Sequence, residues 1–279
     1  MAESNGIVGL LAGTGSFPEV IAEAIKARGF SLVCVQVSGD SRALPTIADH
    51  YRRCAPGSLG EVLGTLEAHR VDEALVAGRF SRLDLLAEGD ALKDAEMTRN
   101  ADNRDVPLLQ RLAALLAARG IVLVDQTRLV GDLLAPSGLL TLRAPTPGEA
   151  ADLAFGRMVA RRLADLDVGQ TIVVRRGVIL AVEAAEGTDA TIRRAGAMVP
   201  GGVVVKASRN NQDPRFDIPA IGPETIAVMR EAAARVIGID ARRTLLLHRD
   251  RMIADANEAG MTIVAAEAPP LGSPVHAHS

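Results

Sequence analysis

The first half of this chain alternates short apolar runs with segments of helical period, and this alternation is the strongest constraint on its fold. The apolar runs are IVGLLA at 7–12, SLVCVQV at 31–37, EALVAG at 73–78 and IVLVD at 121–125. Helical patterns cover 17–29, 58–69 and 106–119. Strands that alternate with helices form parallel sheets, because each crossover helix returns the chain to the same edge. Residues 1–140 are therefore predicted to form a Rossmann-like α/β domain.

The second half predicts another α/β domain, at 147–268. Its strands and helices follow in mixed order after a helix at 149–165, and they include two strands that flank Gly177 and the run VVVKA at 203–207. At 279 residues the chain exceeds the usual size of one hydrophobic core, which favours two domains. The stretch 134–149 holds three prolines and two glycines and is predicted to connect them. Residues 269–279 are predicted to be a disordered tail.

Composition excludes several functional classes. The net charge of -3 argues against a nucleic-acid-binding surface, which needs a basic excess. Cys34 and Cys54 form neither a metal-ligand spacing nor a disulfide framework, which fits a reducing cytoplasm. No apolar run approaches the roughly 20 residues that span a bilayer. We expect a cytoplasmic protein that contacts a membrane surface at most peripherally.

A glycine-rich turn, AGTGSFP, follows the first predicted strand and precedes the first predicted helix. Backbone N–H groups at such a turn can face a phosphate, so Gly13, Thr14, Gly15 and Ser16 are candidate substrate-binding residues. Pro18 occupies the third glycine position of a dinucleotide fingerprint, which disfavours a nicotinamide dehydrogenase. A purely structural turn and a phosphate site remain equal alternatives.

A second candidate site lies where a predicted strand meets a predicted helix, in VEAAEGTDATIRRAG at 182–196. Capping of the helix explains Thr188 or Asp189. The spacing of Glu183, Glu186 and Asp189 also suits a divalent cation, because magnesium takes carboxylate oxygens together with substrate phosphates. Glu186 and Asp189 are predicted metal ligands, and Thr188 is a predicted substrate-binding residue.

A third candidate site is the loop NNQDPRFDIPAIGPET at 210–225, whose three prolines hold it in a fixed shape. Asp213 and Asp217 are the predicted catalytic residues and further metal ligands. Lys206, Arg209 and Arg215 are placed to neutralise phosphoryl oxygens, which is the main demand of phosphoryl transfer. The competing interpretation is a surface connection in which Arg215 pairs with Asp217.

Six segments in order resemble the LpxI-type UDP-2,3-diacylglucosamine pyrophosphatases of lipid A biosynthesis. They are GLLAGTGSFPEVIAEAIKARG, DQTRLVGDLLAPSGLLT, DVGQTIVV, AVEAAEGTDATIRRAG, VVVKASRNNQDPRFDIPAIGPETI and ADANEAGMTIV. Three departures are Thr14 and Ser16 in the opening turn, where the family commonly has more glycines, NRDVP at 103–107, where only Asp105 matches, and Arg209 to Asn211 before the QD pair.

The resemblance implies magnesium-dependent hydrolysis of the substrate to UMP and 2,3-diacylglucosamine 1-phosphate (lipid X), with attack at the β-phosphorus. It further implies a ligand bound between two domains and an essential aspartate in the second, either Asp213 or Asp217. A transient contact with the inner membrane and a homodimer are also expected. The alternative is a non-enzymatic, regulatory protein that binds a nucleotide sugar or a lipid.

Overall fold

The computed structural model describes residues 6–55, 58–80, 105–215 and 218–268, with the backbone alone for 105–109. The chain divides into two compact units. The first comprises Met1–Gly131 and Asp213–Asp217, and the second comprises Asp132–Gln212 and Ile218–Ser279. A short segment around Asp213 thus packs with the first unit, although its neighbours on both sides in the sequence belong to the second.

The described part of the first unit contains a five-stranded sheet in which all neighbours are parallel. The strands are β1 (Ile7–Ala12), β2 (Ser31–Gln36), β3 (His50–Arg53), β4 (Glu73–Ala77) and β5 (Val122–Leu123). They lie in the order β3-β2-β1-β4-β5. The helices are α1 (Phe17–Ala27), α2 (Leu44–Ile47), α3 (Leu59–Ala68), α4 (Asp105–Ala117) and α5 (Thr127–Val130). The predicted Rossmann-like sheet is confirmed.

The central strand β1 is buried from Val8 to Ala12, which explains its continuous apolar sequence. It pairs with β2 on one side and with β4 on the other. The chain therefore runs outward from β1 to β3 and then returns to the opposite side of β1. In sheets of this type, ligands bind at such a switch point, beyond the carboxyl ends of the two diverging strands.

Strand β3 was not predicted, because its sequence HYRR has no apolar pattern. It pairs with β2 at the edge of the sheet and keeps its side chains exposed or half-buried. Charged residues are common on edge strands, where they discourage pairing with other chains. The hydrophobic signal used to find strands is therefore absent here for a physical reason.

The second unit has a six-stranded mixed sheet in its described part. Its strands are β6 (Gly138–Leu139), β7 (Thr171–Arg175), β8 (Val178–Val182), β9 (Val203–Lys206), β11 (Val236–Ala241) and β13 (Thr262–Glu267), in the order β6-β13-β11-β9-β7-β8. Strands β9, β11 and β13 are parallel, and β6, β7 and β8 are antiparallel to their neighbours. A separate pair joins β10 (Ala220–Ile221) to β12 (Leu245–Leu246). The predicted mixed α/β architecture is confirmed.

Helices cover both faces of this mixed sheet. They are α6 (Pro147–Asp165), α7 (Thr188–Met198), α8 (Pro223–Glu231) and α9 (Arg249–Glu258). Val203 and Val205 of β9 pack in one buried cluster with α6, whereas Val204 packs in another with residues of α7, α8 and α9. Alternate residues of a strand point to opposite faces, so the sheet separates two apolar layers.

Helix α6 begins with a capping box and packs closely on the sheet. Thr146 Oγ1 accepts from Glu149 N at 3.3 Å, and Thr146 N donates to the Glu149 carboxylate at 2.8 Å. A β-carbon at Gly156 would lie 2.6 Å from a methyl carbon of Val205, so the close approach requires glycine there. The sequence predicted this helix two residues short at its N-terminus.

Within the described ranges, none of the helices combines the length and the apolar character needed to cross a bilayer.

Candidate functional site

The Gly13–Ser16 turn lies at the switch point of the first sheet and is fixed to the end of β4. Gly13 N donates to Ala77 O at 2.8 Å. Thr14 and Arg79 exchange two backbone hydrogen bonds, of 2.8 and 2.9 Å. The turn is thus held at the carboxyl edge of the sheet, where its sequence position predicted it.

Glycine occupies positions 13 and 15 of this turn for different structural reasons. A β-carbon at Gly13 would lie 2.5 Å from Arg79 O, so this glycine allows the close approach to β4. Gly15 has φ +95, and a β-carbon there would meet nothing within 4 Å. Gly13 therefore has a sufficient packing explanation, whereas Gly15 owes its identity to a left-handed backbone in an open position.

The N-terminus of α1 follows directly. Ser16 is its N-cap residue, but the Ser16 hydroxyl makes no capping hydrogen bond. Gly15 is exposed and Ser16 is half-buried. The first N–H groups of a helix lack partners within the helix and favour anions. The geometry is compatible with a phosphate at Gly15 and Ser16.

In the Asp213 loop, Asp213 forms an ion pair with Arg215, two residues later. Arg215 Nη2 lies 2.7 Å from Asp213 Oδ2, and Arg215 Nε and N both lie 3.0 Å from Asp213 Oδ1. The hydrogen bonds from Arg215 hold the pKa of the Asp213 carboxyl below its usual value of 3.8. Asp213 is therefore a carboxylate at neutral pH, which suits a ligand or charge-stabilising role better than that of a general acid.

Gln126 holds this loop, and the sequence patterns did not reveal it. Gln126 N donates to Pro214 O at 3.1 Å, and Gln126 Nε2 donates to Arg215 O at 3.3 Å. The same amide group donates to Val76 O at the end of β4. Gln126 is only 1% exposed. These contacts explain why the segment at Asp213 packs with the first unit.

Two predicted residues cannot be placed in this geometry. Asp217, the alternative catalytic aspartate, lies outside the described residues. Asp105 begins α4, but its side chain is not among those described.

In the second unit, Glu186 lies at the turn between β8 and α7. Arg194 Nη2 donates to Glu186 Oε1 at 2.6 Å, and Ala184 N donates to Glu186 Oε2 at 3.2 Å. Burial alone would raise the pKa of Glu186, but hydrogen bonds from its own backbone N–H and from Arg194 outweigh burial and lower it. Asp189 is half-buried in the first turn of α7. Glu186 is thus charged and already engaged by Arg194.

Thr188 and Lys206, two of the predicted substrate-binding residues, are hydrogen-bonded to each other. Lys206 Nζ donates to Thr188 Oγ1 at 3.0 Å, and Thr188 Oγ1 donates to Glu183 Oε1 at 2.9 Å. Thr188 is buried at the start of α7, and Lys206 is the last residue of β9. An ammonium group carries three protons, so the contact with Thr188 uses only one of them. The geometry places a cation beside a helix N-terminus at a strand end.

Arg209, by contrast, is buried and forms its contacts within the second unit. Its Nε donates to Ala164 O at 3.2 Å, and its Nη2 pairs with the Asp167 carboxylate just beyond α6. Asn210 N and Nδ2 donate to Asp165 at 2.8 and 2.7 Å. Arg209 is 8% exposed. These contacts give Arg209 a structural role and remove the main reason for expecting it at a phosphoryl group.

Known proteins match nearly the whole of this chain. The models of the LpxI N-terminal and C-terminal domains match residues 7–133 and 136–264, respectively. A protein of Caulobacter vibrioides named UDP-2,3-diacylglucosamine pyrophosphatase LpxI is 31% identical over 276 residues, which cover 93% of this chain and 97% of that protein. This chain belongs to the LpxI family. The resemblance drawn from six sequence segments is confirmed at the level of the family.

The two LpxI domain matches divide the candidate residues. The Gly13–Ser16 turn and Gln126 fall in the N-terminal match, whereas Glu186, Thr188, Lys206 and Asp213 fall in the C-terminal match. Asp213 nevertheless packs with the first unit. The loop of this LpxI chain is therefore continuous in sequence with one domain and held by residues of the other match.

The carboxylates of this LpxI chain offer oxygen ligands, but not as a preformed cluster. Across 6–55, 58–80, 105–215 and 218–268, no three His, Cys, Asp or Glu side chains come together as a metal site. Glu186 and Asp189 belong to the second unit and Asp213 to the first. Magnesium usually takes one or two carboxylates and completes its shell with phosphates and water, so the oxygen chemistry of these residues fits the ion.

Proposed function

We propose that this chain hydrolyses the diphosphate of UDP-2,3-diacylglucosamine to UMP and 2,3-diacylglucosamine 1-phosphate. The observation that carries the proposal is the match to the Caulobacter protein, whose name states a pyrophosphatase acting on this substrate and whose length is covered to 97%. The LpxI domain models at 7–133 and 136–264 include all three candidate segments, and together these matches favour the enzyme over a non-enzymatic binding or regulatory protein.

The proposed binding groups differ in kind. Gly13, Thr14, Gly15 and Ser16 offer backbone N–H groups at the start of α1, whereas Thr188, Lys206 and Arg215 offer side chains. Hydrolysis of a diphosphate depends mostly on positioning and on neutralising charge on the phosphoryl oxygens. N–H groups, an ammonium and a guanidinium are the donors that this chemistry uses.

Asp213 and Asp217 are the proposed catalytic carboxylates, and the choice between them stays open. The support for Asp213 is its ion pair with Arg215, which lowers its pKa and favours the charged form. A charged oxygen in a loop fixed by Gln126 is suited to orient a water molecule or to bind a cation.

We propose magnesium or another divalent cation as the cofactor, with Glu186, Asp189, Asp213 and Asp217 as candidate ligands. When bound, the ion would neutralise charge on the diphosphate. Asp213 and Glu186 each hold an arginine, and these ion pairs would have to open or share their oxygens with the ion.

The proposed place of action is the cytoplasm, at the surface of the inner membrane, where a diacylated substrate is embedded. A homodimer is also proposed. Co-sedimentation with substrate-bearing vesicles tests the membrane contact. The sedimentation coefficient of the chain without vesicles tests the homodimer.

The experiment for the activity measures UMP released from UDP-2,3-diacylglucosamine dispersed in detergent. Three arms contain magnesium, excess chelator, and chelator followed by excess magnesium. We expect turnover in the first and third arms, and hydrolysis in ¹⁸O-water should label the sugar 1-phosphate if the β-phosphorus is attacked. Tight retention of substrate with no UMP in any arm would establish the binding protein instead. Undiminished turnover in chelator would reject the cation and leave the hydrolysis standing.

A further inference from the structure

Arg157 and Arg161 of α6 lie beside Gly238 and Asp240 of strand β11, respectively. A β-carbon at Gly238 of β11 would stand 2.5 Å from Leu153 and 3.3 Å from Arg157 Nη2. One helical turn later, Arg161 Nη2 donates to Asp240 Oδ1 at 2.8 Å. Four helical residues advance about 6 Å and two strand residues about 6.6 Å. The helix therefore carries its arginines along the same face of β11 that bears Asp240.

Asp240 is the carboxylate at the centre of this group. It is 1% exposed, and its Oδ2 accepts from Ser208 N and from Ser208 Oγ, each at 2.8 Å. With Arg161 on Oδ1, both oxygens are engaged. One carboxylate balances one guanidinium, so a second arginine in the same place adds positive charge.

The arginines retain unused donors. In the part of the chain that the structure describes, the buried Nη1 atoms of Arg157 and Arg161 reach no acceptor. Arg161 is only 6% exposed. The other contact of Arg157, from Nη2 to Val264 O, is 3.4 Å long. Buried donors of this kind usually hold a water molecule or an ion.

Arg243, two residues beyond β11, adds to the same electrostatic environment. Burial and the neighbouring charge of Arg161 lower the pKa of Arg243, against the opposing effect of Asp240. Burial lowers the pKa of Arg157, Asp240 raises it, and Arg161 lowers it further. Guanidinium groups stay protonated in proteins, so these directions reflect the cost of holding several cations together in a partly dehydrated place.

We infer that Arg157, Arg161 and Arg243 around Asp240 form a binding site for a phosphate-type oxyanion. The planar donor forks of arginine match phosphate oxygens, and the site lies at the carboxyl ends of the parallel strands β9 and β11. Arg157 and Arg243 are half-buried, which leaves access from solvent. An anion here supplies acceptors to the buried Nη1 atoms of Arg157 and Arg161.

This site lies on the opposite face of the second unit's sheet from Lys206, one of the residues proposed to bind substrate. Lys206 is paired in register with Ile239, which packs in the cluster on the α7, α8 and α9 side. Asp240 is the next residue of β11, so its side chain points to the α6 side. Phosphate binding beside Asp240 therefore does not depend on the proposed hydrolysis.

The test measures binding of inorganic phosphate to the full chain by its effect on the melting temperature, at constant ionic strength set with chloride. A ligand that binds only the folded state raises Tm with concentration. The informative variants are Arg157→Gln and Arg243→Gln, which keep the pair between Arg161 and Asp240. The matched control is Arg162→Gln, on the same helix but exposed.

We expect the wild type and Arg162→Gln to bind phosphate alike, and Arg157→Gln to bind it about ten-fold or more weakly, the usual loss for one charged hydrogen bond. Arg157→Lys, which keeps the charge but not the planar fork, should fall between them and covers the case in which Arg157→Gln folds poorly. An absence of any phosphate effect in the wild type would overturn the inference. So would equal affinities in Arg157→Gln, Arg243→Gln and Arg162→Gln.

A parallel titration with UMP identifies the source of the anion. If Arg157→Gln weakens UMP and inorganic phosphate by the same factor, the site accepts a nucleotide phosphate. If only inorganic phosphate is weakened, the site takes the free anion. No turnover is measured in either titration, so an inactive preparation does not affect the result.

Discussion

Two aspartate–arginine pairs of similar length lie in opposite surroundings. Asp213 and Arg215 meet at 2.7 Å in a loop, with side chains 27% and 39% exposed. Asp240 and Arg161 meet at 2.8 Å under α6, with side chains 1% and 8% exposed. The first pair is two residues apart in sequence, and the second is 79 apart.

The surroundings of each pair determine what it contributes to stability. A pair two residues apart forms within one turn of chain, and in partial contact with water it adds about 0–1 kcal/mol to stability. A buried pair joins distant elements, and loss of one partner leaves a charge without water or counterion. We therefore expect the loop pair to matter mainly for the proposed activity and the buried pair mainly for the attachment of α6 to β11.

The largest expected effect is on stability, at the buried pair. Asp240→Asn should lower the free energy of unfolding by about 3–5 kcal/mol, because Arg161 then keeps a buried charge with no carboxylate. Chemical denaturation measures the change. Asp255→Asn is the matched control, since Asp255 forms an exposed pair with Arg251 at 3.8 Å. Equal losses in the two variants would remove the distinction between buried and exposed pairs.

The loop pair should show the reverse pattern. Asp213→Asn should reduce the rate of UMP release by about 10²-fold or more, the size typical of losing a positioning or charge-stabilising group. Its free energy of unfolding should change by about 1 kcal/mol or less. Asp217→Asn is measured beside it. A rate within two-fold of the wild type for Asp213→Asn, with a large loss for Asp217→Asn, would move the catalytic assignment to Asp217.

Local patterns account for what could be predicted from sequence. The Gly13–Ser16 turn and the Asp213 loop were found because a strand, glycines and prolines stand next to one another in the chain. Thr188 and Lys206 were predicted separately and their contact follows from the order of strands. The parallel sheet followed in the same way from its alternating apolar runs.

Long-range partners account for what could not be predicted. Gln126 lies 89 residues before Arg215, and no local pattern distinguishes it from a surface glutamine. Arg161 and Arg209 belong to an arginine-rich helix and a polar loop, respectively, and their burial depends on how β9, β11 and α6 assemble. A glutamine shortly after a predicted strand was the one available signal for Gln126.

A smaller effect on the rate is expected for Gln126→Ala. This variant tests whether Gln126 positions the Asp213 loop or only stabilises the fold. Gln126→Ala removes the donors to Val76 O and Arg215 O, so kcat for UMP release should fall about ten-fold with a smaller change in KM. Gln36→Ala is the matched control, because Gln36 is also 1% exposed but bonds to Ser38 O and Tyr51 instead. We expect both variants to lose about 1–3 kcal/mol of stability.

Only Gln126→Ala should lose kcat. An equal fall in kcat for the Gln36 variant would mean that the lower kcat comes from general destabilisation of the first sheet and not from release of the Asp213 loop.

The smallest expected effect concerns pH. The pKa of Asp213 is lower in the folded chain than its ordinary value of 3.8, because Arg215 hydrogen-bonds to the charged form. The stabilisation from this pair is therefore complete above about pH 4 and is lost as pH falls through the lower folded pKa. The difference in unfolding free energy between wild type and Asp213→Asn should stay constant from pH 8 to pH 5 and shrink only in stronger acid. A difference that already falls between pH 7 and pH 5 would mean that Asp213 binds a proton in that range, and it would then be available as the general acid that its pairing with Arg215 now argues against.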